Sequence, residues 1–226
     1  FVRDDSLNAK DHFEKFDVFG GAIDREKAPY KQWQYGANLG GPIRKDKTFF
    51  FLSFERLDIS ANNFVTISDA DAAVLGRAGF PVQPGANPYD FKDTLLLGKV
   101  NHNWSPSHSL VFRANYSDRT NENIEPFGGL IARSRGAVQL RTDYGLSLAQ
   151  TDILSSRWLN EARVQYAQFR SDSLALDPTC EGVCDGNNEG GPSVILTGVA
   201  TAGRSVATPL VRPERRWRLA DTISFF

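Results

Sequence analysis

The sequence lacks the features that define several common classes of protein. Its 226 residues contain no methionine, two cysteines and three histidines. No stretch approaches the roughly 18 consecutive apolar residues of a transmembrane helix. The 26 basic and 27 acidic residues nearly cancel, so the composition does not favour a nucleic acid as partner. These absences exclude helical spans but not a membrane β-barrel, whose strands need only about 9–11 residues and are polar on one side.

Motifs that carry chemistry are also absent. His12, His102 and His108 stand at spacings that fit neither a metal site nor a catalytic triad. There is no Gly-x-Ser-x-Gly, no phosphate-cradling glycine loop and no His-Glu-x-x-His. We therefore expect no catalytic residue, no metal and no cofactor, and we expect that the protein is not an enzyme.

The composition is that of a folded chain, with 41% hydrophobic and 12% aromatic residues. The sequence starts at Phe1 without a methionine, a basic leader or an apolar signal core. We therefore expect residues 1–226 to be one part of a longer protein.

The stretch from Tyr35 to Glu55 predicts a β-hairpin. Within 34–40, apolar residues alternate with polar residues or glycine, which is the period of a strand with one apolar side. Gly40-Gly41-Pro42 predicts the end of this strand, because glycine admits positive φ and proline donates no backbone hydrogen bond. Ile43–Lys47 then predicts a short polar turn, and Thr48–Glu55 the second strand.

The same alternation recurs along the chain. Strands are predicted at about 31–40, 48–58, 94–104, 109–118, 139–153, 158–170 and 215–226. The connections are short and long in turn, at 41–47, 59–93, 105–108, 119–138, 154–157 and 171–214. Membrane barrels have such tight turns at one end and long loops at the other. The pattern predicts an all-β, antiparallel, up-and-down transmembrane β-barrel segment of about seven strands, forming one partial β-barrel domain over 1–226.

Each predicted strand has an apolar and a polar side, which we interpret as facing lipid and lumen respectively. The lipid-facing candidates are Phe50, Leu52, Phe54, Val100, Trp104, Leu110, Phe112, Tyr116, Tyr144, Leu146, Leu148, Val164 and Tyr166. The lumen-facing candidates are Glu55, Lys99, Asn101, Arg113, Asn115, Arg141, Asp143, Glu161, Arg163 and Gln165. Arginine stands beside carboxylate repeatedly in the second set, so we expect charges on neighbouring strands to pair across the wall.

Aromatic residues mark both ends of the predicted strands. Trp104 and Trp158 lie beside short turns, and Tyr116 and Tyr166 near the opposite ends, where the aromatic girdles of a barrel would lie. The alternative is a soluble β-sandwich, for example one that binds carbohydrate, whose apolar sides are buried against a second sheet. A structural or adhesive barrel without energy coupling is a further alternative.

The long connections hold two more predictions. Ser68-Asp69-Ala70-Asp71 predicts the start of a short helix with Ser68 as N-cap. Cys180 and Cys184 are candidates for a local disulfide in an oxidising exterior compartment, with free thiols as the alternative. The acidic residues after them lack the spacing of an EF-hand, so no calcium site is predicted.

Three stretches also resemble a known family. LGGPIRKDKTFFFLSFE (39–55), LGKVNHNWSPSHSLVFRANYSD (97–118) and LSSRWLNEARVQYAQFR (154–170) resemble strings in the barrel of Oar-like TonB-dependent receptors, which often carry a carboxypeptidase-regulatory-like domain. The likeness covers most of the strands but not the loops. At Lys99-Val100-Asn101 the family commonly has arginine and aspartate, which changes a charge on the polar side and leaves the predicted fold intact.

The resemblance implies a receptor in the outer membrane of a Gram-negative-type bacterium that imports a ligand with energy supplied through TonB. It implies a barrel of about 22 strands around an N-terminal plug, of which this chain would be wall and outer loops. Residues in 59–93, 119–138 and 171–214 would then be candidate ligand contacts. The expected partners are outer-membrane lipid, the plug and remaining barrel of the parent chain, TonB through another part of that chain, and an unidentified extracellular ligand. No nucleic acid is expected.

Overall fold

The computed structural model describes residues 1–7, 9–10, 12–16, 20–22, 27–177 and 192–226. Its strands are β1 (Val2–Asp4), β2 (Lys31–Arg44), β3 (Thr48–Val65), β4 (Gly85–Ser105), β5 (His108–Glu125), β6 (Ala137–Ser155), β7 (Trp158–Ala175), β8 (Ser193–Leu196), β9 (Ala200–Gly203) and β10 (Leu210–Phe225). The α-helices are α1 (His12–Lys15) and α2 (Asp69–Arg77), and single 3-10 turns lie at Asp5–Leu7 and Arg133–Arg135. No helix in the described part of the chain is long and apolar enough to span a membrane.

Eight strands form one antiparallel sheet in the order β1-β2-β3-β4-β5-β6-β7-β10. Each strand from β1 to β7 pairs with the next one along the chain, and β10 returns to pair with β7. β8 and β9 form a separate hairpin within the connection from β7 to β10. The predicted all-β up-and-down arrangement is confirmed, with seven long strands and the three-residue β1 at one edge. The sheet is open in this chain, with β1 and β10 at its edges.

The strands are longer than the alternation predicts. β3, β5 and β7 each have 18 residues, β6 has 19 and β4 has 21. The predicted connections 59–93, 119–138 and 171–214 are therefore too wide. β3 continues to Val65 and β4 begins at Gly85, with Asn62 opposite Pro88 in the shared ladder. Sequence reasoning missed these extensions because a strand that leaves the apolar band loses its apolar stripe, while its backbone pairing continues.

Glycine and proline do not end β2 where the sequence predicts. β2 passes through Gly40-Gly41-Pro42 and ends at Arg44, with a register shift between Pro42 and Arg44. Gly40 marks a close approach of β3 instead, since a Cβ there would lie 3.1 Å from the carbonyl oxygen of Phe50; the approach is closer still at Gly36, where a Cβ would lie 2.5 Å from the carbonyl oxygen of Phe54. Glycine within a strand often has this meaning, so its presence alone does not predict an end.

Three short turns lie at one end of the sheet, at 45–47, 106–107 and 156–157. A register shift accompanies each of them, between Pro42 and Arg44, Asn103 and Ser105, and Ile153 and Ser155. The long connections all lie at the opposite end. The predicted alternation of short turns and long connections is therefore confirmed.

The buried core lies among the long connections rather than on the sheet. We call segments 65–84, 126–136 and 192–209 the loop cluster. Its core residues are Val65, Ile67, Ala72, Leu75, Phe127, Ala132, Ala200 and Ala202. The predicted helix start is confirmed: the Oγ of Ser68 accepts a hydrogen bond of 3.1 Å from the backbone N–H of Asp71, at the start of α2.

Candidate functional site: the two faces of the wall and the loop cluster

Strand pairing brings alternate residues of neighbouring strands into continuous rows. One row runs across six strands through Phe50, Val100, Phe112, Leu148, Val164 and Leu219. We call the side of the sheet that carries this row the apolar face. It consists of the even-numbered residues in the central parts of β3 to β7 and of the odd-numbered residues of β2 and β10. The opposite side is the polar face.

The register places the two sets of predicted residues on opposite faces, with one exception beside a strand irregularity. All ten lumen-facing candidates lie on the polar face, and twelve of the thirteen lipid-facing candidates lie on the apolar face. The thirteenth, Trp104, is beside the irregularity in β4, and its ring lies 5.9 Å from that of His102, which is on the apolar face.

The prediction missed part of the apolar face. Leu96 lies between Phe54 and Tyr116 in the register, and Trp217 and Leu219 extend the face onto β10. Leu96 is hidden in a run of three leucines, where the alternation is ambiguous. Trp217 and Leu219 alternate with arginines, and this signal is readable in the sequence.

Among the described residues, no second protein layer covers the apolar face. Leu146 is 47% exposed and Leu148 42%, although both lie near the middle of a central strand. In a β-sandwich these side chains would be buried against a second layer. The other sheet in the described residues, β8 with β9, belongs to the loop cluster, where Ala200 and Ala202 are part of its core. An apolar surface of this extent without a protein cover is typical of a membrane or interaction surface.

Paired aromatic rings lie at two levels of the apolar face. Near the short turns, Trp158 lies 4.9 Å from Phe225, and farther along the strands Tyr166 lies 4.7 Å from Trp217. Trp158 and Tyr166 are eight residues apart on β7, which is about 26 Å along a strand. At the usual tilt of barrel strands this is about 20 Å, close to the apolar band of an outer-membrane barrel.

The polar face is charge-balanced only near the loop cluster. Arg119 Nη2 lies 2.6 Å from Asp93 Oδ2 across β4 and β5, and Arg141 Nε lies 2.9 Å from Asp143 Oδ2 on β6. Asp93 is 7% exposed, so its partner offsets the cost of burying a carboxylate. The expected pairing across the wall is wrong for most of the predicted set. Within the described residues, the lumen-facing candidates form one ion pair, Arg141–Asp143, and both of its members lie on β6. The register does not place the other candidates of opposite charge directly across from each other on neighbouring strands.

Backbone hydrogen bonds join the three segments of the loop cluster. The N–H of Thr66 donates to the carbonyl of Gly129 at 2.7 Å, and the N–H of Ala132 donates to that of Thr201 at 2.8 Å. The N–H of Thr201 donates in return to Leu130 at 2.7 Å. Because each segment is bonded to the next, the connections from three different hairpins form one packed unit.

The surface of the loop cluster combines a rigid base with apolar side chains at the top. Phe127, in the core, contacts the ring of Tyr89 edge-on at 6.4 Å, and burial raises the pKa of the Tyr89 phenol. Ile195 at 67% and Val206 at 78% are among its most exposed residues. The cluster therefore presents a preformed surface to whatever lies beyond it.

The predicted disulfide is not tested by the structure. Cys180 and Cys184 lie outside the described residues, so their disulfide stays a prediction. No group of three or more His, Cys, Asp or Glu residues within the described ranges is arranged to hold a metal ion.

A single antiparallel meander with an uncovered apolar face, a polar face and aromatic pairs at two levels has the architecture of a membrane barrel wall. The comparison with protein families agrees with this class. The chain belongs to the family described as "Outer membrane beta barrel domain", whose model matches residues 1–91 and 80–226. The fold is thus that of an outer-membrane β-barrel domain. Searches of the curated proteins and of the solved structures found no match.

Proposed function

We propose that the chain forms part of the wall and the outer loops of a TonB-dependent outer-membrane receptor that imports an extracellular ligand. The continuous, uncovered apolar face is the observation that carries the membrane part of this proposal. The family match supports the outer membrane as its location in a Gram-negative-type bacterium. The receptor class rests on the resemblance of 39–55, 97–118 and 154–170 to Oar-like receptors.

In this proposal the apolar face contacts outer-membrane lipid and the polar face lines the lumen. Lipid stabilises exposed leucine and phenylalanine over so wide a surface, and the ionised side chains then remain in a polar interior. The short turns would lie in the periplasm and the loop cluster outside the cell, as in other outer-membrane barrels.

The open edges of the sheet support a larger barrel. Each unpaired backbone donor or acceptor in hydrocarbon costs several kcal/mol, so a membrane sheet closes on itself. β1 covers only Lys31–Trp33 of β2, and β10 is paired on one side only. We infer that other strands of the parent chain pair with β2 and β10, in a barrel of about 22 strands with the plug inside.

The loop cluster is the proposed contact surface for the extracellular ligand. Strand extensions occupy part of the ranges 59–93, 119–138 and 171–214. The candidate ligand contacts are therefore limited to the exposed residues of the loop cluster. Its core fixes the positions of these residues before a ligand arrives, which reduces the entropy lost on binding.

Nitroxide labels on the full-length protein in lipid vesicles test the orientation of the faces. With Cys180 and Cys184 replaced by alanine, single cysteines are introduced at Leu146 on the apolar face and at its neighbour Ser147 on the polar face. We expect a label at position 146 to be relaxed mainly by oxygen, which partitions into lipid, and one at 147 by a water-soluble nickel complex. Equal accessibility of both labels to the nickel complex would contradict the membrane assignment.

Binding of TonB tests the receptor class without knowledge of the ligand. Purified periplasmic domain of TonB is passed over full-length protein in detergent, and binding is measured by surface plasmon resonance. We expect saturable binding that decreases when free full-length protein is added to the TonB domain in solution. A protein that inserts correctly but does not bind the TonB domain would instead be a structural or adhesive barrel without energy coupling.

A further inference from the structure

The polar face contains a zone where cations collect without carboxylates. Four cations lie in two successive rows of the register: Lys99, Arg113 and Arg218 in the first row, and Arg163 in the second. The other members of the first row are Gly40, Phe51, Ser147 and Gln165. The other members of the second row are Pro42, Phe49, Asn101, Val111, Ala149 and Ala220. We call Lys99, Arg113, Arg163 and Arg218 the cationic band.

Ion pairing separates this band from the rest of the polar face. Nearer the loop cluster, Arg119 is paired with Asp93 and Arg141 with Asp143, at 2.6 and 2.9 Å. Arg216, one row above the band, is paired with Glu214. Among the described residues, none of the four band cations has an ion pair. On the side of the short turns, Glu161 lies two residues from Arg163 on the polar face of β7, and no ion pair joins them. Arginines are therefore paired with carboxylates nearer the loop cluster, while Lys99, Arg113 and Arg218 have neither an ion pair nor a carboxylate in their row.

The register makes this excess of charge costly. Lys99 and Arg113 are direct partners across β4 and β5. Residues opposite each other in an antiparallel pair have Cβ atoms about 4.5–5.5 Å apart, and like charges in such positions destabilise the sheet. An anion bound between them would remove this repulsion and gain charge-assisted hydrogen bonds.

Amide side chains lie in the band and beside it. Gln165 stands in the same row as Lys99, Arg113 and Arg218, and Asn115 stands one row above it. A Cβ on Gly145 would meet the side-chain oxygen of Asn115 at 2.4 Å, so the Asn115 amide occupies the space that this glycine leaves open. These two amides can donate hydrogen bonds to an anion held by the band.

We propose that the cationic band binds an anionic solute with two or more carboxylate, phosphate or sulfonate groups inside the lumen. This inference rests on the proposed function in one respect, that the polar face lines a lumen. Arg113 and Arg218 are three strand spacings apart, about 14 Å. A solute with several separated charges can therefore contact cations at both ends of the band at once.

The test uses the trisulfonated dye pyranine as probe and the full-length protein in a non-ionic detergent. Fluorescence anisotropy measures the affinity for the dye at low salt. We expect saturable binding, about a hundredfold weaker in the double variant Lys99→Gln/Arg113→Gln, because each of the two lost charge-assisted contacts weakens binding by about tenfold. Raising the ionic strength should weaken binding to the unmodified protein and have a smaller effect on the variant.

Arg141→Gln is the matched control, because it removes an arginine from the same face that already has a carboxylate partner. We expect its affinity for pyranine to stay within about twofold of the unmodified protein. No saturable binding by the unmodified protein, or equal losses in Arg141→Gln and the double variant, would overturn the inference.

Failure of this inference is distinct from failure of the proposed function. A protein whose nitroxide labels report the expected faces and which binds TonB, but not pyranine, would retain the receptor assignment and refute the anion site. If the label at Ser147 instead reported lipid, the polar face would not line a lumen. The proposed function would then fail first.

Discussion

The sheet and the loop cluster differ in how far their apolar side chains are exposed. Val65, in the cluster, is 1% exposed, whereas Leu146, in the centre of the sheet, is 47% exposed. The cluster buries its apolar residues against each other, and the sheet leaves them uncovered. The cluster is therefore stabilised in water by its own packing, while in the proposed barrel lipid covers the apolar face of the sheet.

This difference predicts that the two regions respond to different substitutions. A substitution that creates a cavity should destabilise the loop cluster without destabilising the sheet, because the packed core does not extend over the sheet. A substitution that introduces a charge should destabilise the sheet when it lies on the apolar face, and much less when it lies on the polar face. Four experiments, in order of decreasing expected effect, test this separation.

The largest effect is expected from Phe127→Ala in the loop cluster. Phe127 is 4% exposed, and truncation of a buried phenylalanine typically costs about 3–5 kcal/mol. We expect faster proteolysis of the loops on intact cells, with unchanged heat-modifiable mobility of the barrel on gels. Val206→Ala, at a position that is 78% exposed, is the control and should change neither measurement. Loss of the folded barrel in Phe127→Ala would show that the two regions are not separate.

Leu146→Arg should have the next largest effect, on the wall. An arginine on the lipid face near the middle of a barrel strand costs about 2–4 kcal/mol. The free energy of unfolding, measured by denaturant titration in lipid vesicles, should fall by that amount. Ser117→Arg, on the polar face opposite Asp143, should change it by less than about 1 kcal/mol. Equal losses in both variants would mean that the faces do not meet different surroundings.

Ser68→Ala should have a smaller and local effect. It removes the side chain that caps α2, which typically costs about 1 kcal/mol. We expect faster hydrogen exchange at the backbone amides in the first turn of α2. Ser68→Asp preserves an acceptor at the cap and should restore slow exchange. Faster exchange throughout β3 to β7 would contradict a local role for this cap.

The smallest effect is expected in the turn between β2 and β3. Asp46 has a φ of 60°, a backbone conformation that glycine adopts freely. Asp46→Gly relieves this strain but makes the unfolded chain more flexible, so the free energy of unfolding should change by less than about 0.5 kcal/mol. Asp46→Val cannot adopt the conformation easily and should lose about 1–2 kcal/mol in the same titration. A similar result for glycine and valine would show that the turn does not constrain the hairpin.

Local patterns were enough to predict the parts of the structure that depend on neighbours in the sequence. The alternation of Leu110, Phe112 and Tyr116 with Arg113 and Asn115 assigns them to opposite faces, because side chains along a strand alternate by geometry alone. The cap at Ser68 and the positions of the short turns are local in the same sense. Membership of an outer-membrane barrel class followed from the lengths of turns and loops.

The candidate site was only partly predictable. The sequence identifies Lys99 and Arg113 as polar-face residues, but not that they are direct partners. Their pairing depends on the register of the hairpin, which the irregularity between Asn103 and Ser105 shifts. The interpretation that charges pair across the wall failed for this reason: composition gives the charges, and only register gives their distances.

The sequence by itself determined that this protein is a meander of two-sided strands, because the period of two is a property of each strand alone. The tertiary structure decided how far the strands continue beyond the apolar band, since outside lipid their ladders need no apolar side chains. It also decided that small residues such as Ala200 and Ala202 form a core with Phe127, from segments more than sixty residues apart. That core depends on long-range packing, which no local pattern encodes.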